Sequence, residues 1–154
     1  MNLVRCLALA TALTGGLVCP ALAQDAETRA ASEFELATAV ATASRAWRDA
    51  FNAGDAVAAA ALYEEDAAMI AEPFGRFEGR EAIQAFWADL VAKGFDDVVY
   101  YNTSTTIVDP TLTAATVSAD WEMNKAKGTI TRELWVLQPD GNALLREDHF
   151  TVTP

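Results

Sequence analysis

The apolar residues of this 154-residue chain change their period once, and that change limits the folds open to it. From Glu27 to Asn52 the positions Leu36, Val40, Ala43, Trp47 and Phe51 recur at spacings of three and four, which places them on one helical face. Asn52, Ala53 and Gly54 stop that helix, because Asn and Gly tolerate the left-handed conformation of a helix end. Asp55 stands where it can cap a second, short helix running through Tyr63, whose alanines suit close packing against the first. Ile83, Phe86, Trp87, Leu90 and Val91 mark a third, amphipathic helix closed by Lys93 and Gly94. From Asp97 onward the period is two, in four runs covering 97–108, 113–124, 129–137 and 143–152. Gln138-Pro139-Asp140-Gly141-Asn142 joins the last two runs as a hairpin. Three helices followed by a curved antiparallel sheet predict an α+β fold with the helices on one sheet face.

The segment between the second and third helices carries the acids Glu64, Glu65 and Asp66 just before the apolar pair Met69 and Ile70. They read as the solvated exit from the second helix, with a strand beginning at Ala67 and ending at Glu72. Pro73 to Arg80 then reads as a connection containing two glycines. A metal site among the acids lacks partners: residues 24–154 hold one histidine, no cysteine and no calcium-loop pattern. No motif calls for a nucleotide, flavin or metal, so no cofactor is expected.

The N-terminus reads as a secretory signal over residues 1–23. Arg5 precedes an apolar run from Cys6 to Val18, and Ala21-Leu22-Ala23 supplies small residues ahead of Gln24. The run falls short of the roughly 20 residues that cross a bilayer. Cleavage would leave 24–154 as one domain without Cys6 and Cys19, held together by its core rather than by disulfides. It would also leave 10 basic against 22 acidic residues, a balance of −12, which disfavours nucleic acid and anionic membranes as partners. The expected address is periplasmic or secreted, with no membrane association after signal removal.

Three stretches, "AFNAGDAVAAAALYEEDA", "GREAIQAFW" and a strand-rich tail ending "LREDHFT", resemble in their order and spacing the nuclear-transport-factor-2-like superfamily. The resemblance spans Arg45 to Thr151 and is nearest to the SnoaL-like proteins and the kinase II association-domain group. It implies a cone-shaped, cystatin-like fold and a homodimer formed through the outer sheet face, where Thr116 and Ser118, with Tyr100 or Trp135, would point outward. It also opens the reading of a non-catalytic assembly or scaffold domain. A second resemblance, to ketosteroid isomerase of the same superfamily, implies roles for particular residues. Glu72-Pro73 falls one residue later than the Asp-Pro that carries the base. Trp47 stands at the position of the oxyanion tyrosine, and Glu133 at that of the protonated oxyanion aspartate.

Alternation in the second of the four strand runs puts Ala115, Val117, Ala119, Trp121 and Met123 on one face and Thr116, Ser118, Asp120 and Glu122 on the other. With Trp47, Tyr63, Met69, Phe86 and Trp87, that apolar face would either fill a core or line a concave site for a small apolar or aromatic molecule. Glu133 alternates with Trp135: both point inward, where a carboxyl among indoles becomes a general acid or base, or Glu133 faces water beside Arg132. His149, the one imidazole, is either a structural hydrogen-bonding residue or a second proton-transfer group beside Glu133 and Glu72. Asp148 is a further ligand-binding candidate and lies within reach of Arg132 across neighbouring strands. Two functions follow, capture of a small molecule or its conversion by an isomerase-, cyclase- or dehydratase-like acid–base reaction.

Overall fold

The computed structural model describes residues 20–153, so most of the expected leader, with both cysteines, lies outside the described residues. The elements run α1 (Pro20–Asn52), α2 (Ala56–Ala60), β1 (Tyr63–Glu72), β2 (Gly75–Glu78), α3 (Arg80–Ala92), β3 (Val99–Ile107), β4 (Ala114–Met123), β5 (Ala126–Leu137) and β6 (Ala143–Thr153). The six strands form one sheet in the order β2-β1-β6-β5-β4-β3. The fold is α+β, with the helices against one face of a curved sheet, and the sheet is mixed: β1 lies parallel to β6, and the other neighbours are antiparallel.

The apolar stripe of α1 builds the core. Leu36, Val40, Ala43, Trp47 and Phe51 are all buried against the sheet and α3, and each large side chain so buried contributes about 1.5–3 kcal/mol. The helix ends where the Asn-Ala-Gly sequence requires: Gly54 takes φ 75°, and the Asp55 side chain accepts a 2.9 Å bond from the Ala58 amide. Asn52 also fastens this end to the sheet. Its amide donates to the Val98 carbonyl at 3.1 Å, and its oxygen accepts from the Val98 amide at 2.7 Å.

Three local expectations need correction. The second helix stops at Ala60, and Tyr63 opens β1 rather than closing α2. Glu64, Glu65 and Asp66 therefore lie inside β1, in a bulge where its register against β6 shifts between Tyr63 and Ala68. A cross-strand cation keeps the acid in the strand: Glu64 receives two bonds from Arg146, at 2.7 and 3.0 Å, and is held below the usual carboxylate range by them. The expected connection at 73–80 contains the short strand β2, which pairs with β1 and lays Phe77 on Phe86 at 4.7 Å.

Two close approaches position the interior. Arg80, at the start of α3, donates twice to the Tyr63 carbonyl, at 2.8 and 2.6 Å, and so fixes the bulged entry of β1. Gly128 sits opposite Trp121, and a Cβ there would lie 1.8 Å from the Thr151 carbonyl and 2.7 Å from the indole. Only glycine lets Trp121 lie flat on β5.

Candidate functional site

The concave sheet face and the helices leave a cavity of about 230 Å³ between them. Trp47 from α1, Trp87 and Leu90 from α3, Tyr100 from β3, Trp121 from β4, Ile130 from β5, and Asp148 and Phe150 from β6 form most of its wall. The rings meet edge to face or offset: Trp87 is 5.0 Å from Trp47 and 5.7 Å from Phe150, which is 6.0 Å from Trp121. A larger open groove, of about 890 Å³, runs between α1 and the β5–β6 hairpin. It holds no buried ionisable side chain, whereas Asp148 in the aromatic cavity is 4% exposed.

Asp148 is not alone. Register places Glu133 on β5 directly opposite it on β6, and Glu133 is 3% exposed. Each carboxyl has its own tyrosine and indole, arranged in opposite order. The Trp87 indole donates to the Tyr63 hydroxyl at 3.3 Å, and Tyr63 donates to Asp148 Oδ2 at 2.6 Å. The Trp135 indole donates to Glu133 Oε2 at 2.8 Å, and the Tyr100 hydroxyl donates to Glu133 Oε1 at 3.2 Å. An indole N–H only donates, so the direction of each indole bond is fixed. Trp87 obliges Tyr63 to point its proton at Asp148, which leaves Asp148 Oδ1 without a hydrogen bond among the described residues. Trp135 obliges Oε2 of Glu133 to accept, and the Tyr100 hydroxyl donates to the other oxygen, Oε1.

Burial dominates the electrostatics. It pushes Glu133 up to about 8, helped by the charge of Asp148 and opposed by the bonds from Trp135 and Tyr100 and by Arg48. Burial also raises Asp148, to about 6, against the bond from Tyr63. Like charges on adjacent buried carboxyls disfavour double ionisation, so the pair carries one proton at neutral pH. Tyr63 and Tyr100 are raised well above the ordinary phenol range by burial and by these carboxylates, and stay protonated. Arg48, stacked over the Tyr100 ring at 4.6 Å, is the cation nearest this cluster on α1. Among the described residues no three His, Cys, Asp or Glu side chains converge as metal ligands would.

Of the residues singled out in the sequence, Trp47, Trp87, Trp121 and Asp148 line the cavity. Tyr63 and Trp135 stand one layer behind, holding the carboxyls. Met69 is fully buried in the core, and Phe86 packs among Phe74, Phe77 and Trp87 outside the wall. Glu133 points inward, but the cavity meets its partners Asp148 and Tyr100 instead of its own carboxyl. Glu72 does not join the site: β1 turns Ala67, Met69 and Ala71 inward, so alternation leaves Glu72 exposed. His149 lies between the inward residues Asp148 and Phe150 and faces away from the cavity. Arg132 pairs with Glu147 at 3.0 Å on the outer face, not with Asp148. Tyr100 and Trp135, which were candidates for the outer face, both face inward.

A family model for the SnoaL-like domain matches residues 44–138. Among solved structures, a candidate scytalone dehydratase from Novosphingobium aromaticivorans superposes with a TM-score of 0.68 at 16% identity, covering 81% of this chain and 89% of its own. A ketosteroid isomerase-like protein from Erwinia carotovora atroseptica gives 0.62 at 16% identity, over 76% and 96%. A candidate kinase II association domain from Xanthomonas campestris gives 0.62 at 17%, over 75% and 86%. Solved neighbours with a cystatin-like fold share the helix-on-curved-sheet arrangement. No curated protein matches the chain.

Proposed function

The chain belongs to the SnoaL-like domain family, and on that premise we propose that its aromatic cavity is a small-molecule acid–base site in which Asp148 takes and returns a proton. One observation carries the reading: a buried carboxyl lines a mainly aromatic and aliphatic wall, with Oδ2 tied down by Tyr63 and Oδ1 free of hydrogen bonds from the described residues. A base near neutrality with one oxygen unbonded suits removal of a proton from carbon, the step shared by isomerisation and elimination. The ligand is uncharged and apolar or aromatic, because a second negative charge beside the carboxyl pair would be repelled and desolvated. Size narrows it further. A dry cavity of about 150 Å³ admits benzene, so about 230 Å³ suits one substituted ring or a fused pair.

The test uses β-tetralone, a fused-ring ketone. Binding is read by tryptophan fluorescence, and catalysis by NMR as exchange of its α-protons in D2O. Wild type binds and accelerates exchange above buffer, and Asp148→Asn binds but exchanges at least about 10²-fold more slowly, the lower range for a positioned base. Equal exchange by Asp148→Asn would remove the assignment. Capture without chemistry is the second reading, favoured by a wall whose charged side chains are Asp148 and Lys125. Binding without exchange by wild type would select it.

Two further parts of the proposal concern the protein's setting. Export to the periplasm or medium is supported by the leader-like residues 1–23, and a mature N-terminus at Gln24 is its test. Homodimerisation through the outer sheet face is supported by the exposure of Val99 and Tyr101, which lie opposite Glu122 and Asp120 on β4. A monomer by light scattering at micromolar concentration would remove it.

A further inference from the structure

We infer that Phe95 is the door of the aromatic cavity, latched by Asn124 and Lys125, and that it sets the length of ring system the cavity accepts. The inference rests on the reading of this cavity as a small-molecule site, with or without chemistry at Asp148, and deepens it by naming the entrance and the size limit.

The cavity wall is graded from floor to rim. Trp47, Trp121, Ile130 and Asp148 are buried, whereas Leu90, Phe95, Met123 and Val152 are half-buried and Phe74 and Lys125 are exposed. The cavity therefore reaches solvent where the end of α3 and the chain leading into β3 face the β4–β5 turn. Met123 pairs with Ala126, so that turn consists of Asn124 and Lys125 alone. Both residues reach across to the other rim. The Asn124 side-chain amide donates to the Gly94 carbonyl at 2.9 Å and to the Asp96 carboxylate, and its backbone amide donates to the Asp96 carbonyl at 3.1 Å. Its side-chain oxygen accepts from the Asp96 amide at 3.4 Å. Lys125 Nζ donates to the Lys93 carbonyl at 2.7 Å, at the helix end where carbonyls lack partners and a cation is favoured. The same ammonium lies over the Phe95 ring at 5.5 Å. Phe95 stands between Gly94 and Asp96, so the latch closes over it.

The door is anchored at both ends. On one side α3 closes with the Gly94 amide donating to Val91 at 2.9 Å and the Phe95 amide to Leu90 at 3.1 Å; on the other, Asn52 holds both the amide and the carbonyl of Val98. Between the anchors, Gly94 at φ 75° and Asp97 at φ 60° are left-handed residues on either side of Phe95 and Asp96, a short joint of the kind at which a segment swings. The side-chain bonds of Asn124 and Lys125 are exposed, so water replaces them at little net cost when the latch opens. Size follows from the same arrangement. With Phe95 in place the cavity measures about 230 Å³, room for a fused pair of rings. The floor belongs to the close-packed core, so a third ring on a ligand seated against Asp148 has to take the place of the Phe95 side chain.

The experiment is stopped-flow tryptophan fluorescence with naphthalene, and with phenanthrene, which adds one ring, on wild type, Asn124→Asp, Lys125→Met and Phe95→Ala. Asn124→Asp keeps the size of the side chain, loses the donors to Gly94 and Asp96, and sets a second carboxylate against that of Asp96. Lys125→Met keeps an apolar stem beside the Phe95 ring and removes the bond to Lys93. Each latch variant is expected to raise the association and dissociation rates of naphthalene together, by about tenfold or more, with the dissociation constant within about threefold of wild type. Wild type should prefer naphthalene to phenanthrene. Phe95→Ala should shift that ratio at least about tenfold toward phenanthrene, the low end for one group's worth of pocket space. A cooperative thermal transition certifies the fold of each variant, and the two latch variants stand in for one another. Unchanged naphthalene rates in the folded latch variants, or a ligand ratio in Phe95→Ala within about threefold of wild type, would overturn this inference and leave the cavity reading standing. Absence of naphthalene binding by wild type would overturn the reading itself and the inference with it.

Discussion

Replacing Glu133 by Gln should make the folded protein more stable at alkaline pH, although it alters one of the few buried polar residues. Burial and Asp148 raise the Glu133 carboxyl from its ordinary 4.5 to about 8. A folded-state value above the unfolded one means that the native state binds the proton more tightly. The associated stability is therefore present in full below about 4.5 and is lost as pH rises to about 8. At about 1.4 kcal/mol per unit the loss has a ceiling near 5 kcal/mol, and relaxation of the site brings the expected value to about 2–4 kcal/mol. Gln cannot ionise, and its two ends match the donor-only Trp135 indole and the Tyr100 hydroxyl. Chemical denaturation of both proteins at pH 5, 7 and 9 measures the difference. The mutant should be equal to or slightly less stable than wild type at pH 5 and more stable by about 2 kcal/mol or more at pH 9, beyond the ordinary run of surface changes. The general repulsion of a chain with net charge −11 lowers both curves alike and cancels in the comparison. A mutant destabilised by the same amount at pH 5 and pH 9 would refute the argument, because the carboxyl would then act by shape alone.

Tyr63→Phe removes the donor to Asp148 and the acceptor of the Trp87 indole together; denaturation at pH 8 should show a loss of about 1.5–3 kcal/mol, and Asp148 should titrate higher than in wild type. Gly128→Ala drives a Cβ into the Thr151 carbonyl and the Trp121 ring, and calorimetry should show a melting temperature lower by several degrees or more, equivalent to about 1–3 kcal/mol of overpacking. Asn52→Ala cuts both bonds from the end of α1 to Val98 and should cost about 1–3 kcal/mol by denaturant titration, with faster hydrogen exchange at the Val98 amide.

The helices and the four long strands were legible because their apolar residues repeat with clear periods, and the stripe from Leu36 to Phe51 is the buried stripe. β2 was not, since four residues between Pro73 and the glycine that caps α3 carry no alternation to read. The acids of β1 misled because a charged cluster after an alanine helix has the local chemistry of a loop; the arginine that keeps Glu64 in a strand lies 82 residues away. The site was half legible. Trp47, Trp87 and Trp121 follow from helix and strand phase, and the inward turn of Glu133 follows from that of Trp135. Tyr100 does not, because β3 is an edge strand exposed along most of its length, and the register shift between Tyr101 and Ser104 breaks its alternation. Nor could the pairing of Glu133 with Asp148 be counted back from the hairpin, since β5 and β6 slip register twice, between Ile130 and Arg132 and between Leu134 and Trp135. The cue that was present is compositional: two tyrosines, two indoles and two carboxyls on inward phases satisfy one another's hydrogen bonds.

The most direct measurement is a crystal structure with β-naphthol, a stable aromatic counterpart of the enol of β-tetralone. The ring should lie among Trp47, Trp87, Trp121 and Phe150, with its oxygen within hydrogen-bond distance of the Tyr100 hydroxyl or of Asp148 Oδ1. A ligand seated instead in the open groove between α1 and the β5–β6 hairpin, with the aromatic cavity unfilled at saturating concentration, would contradict the account.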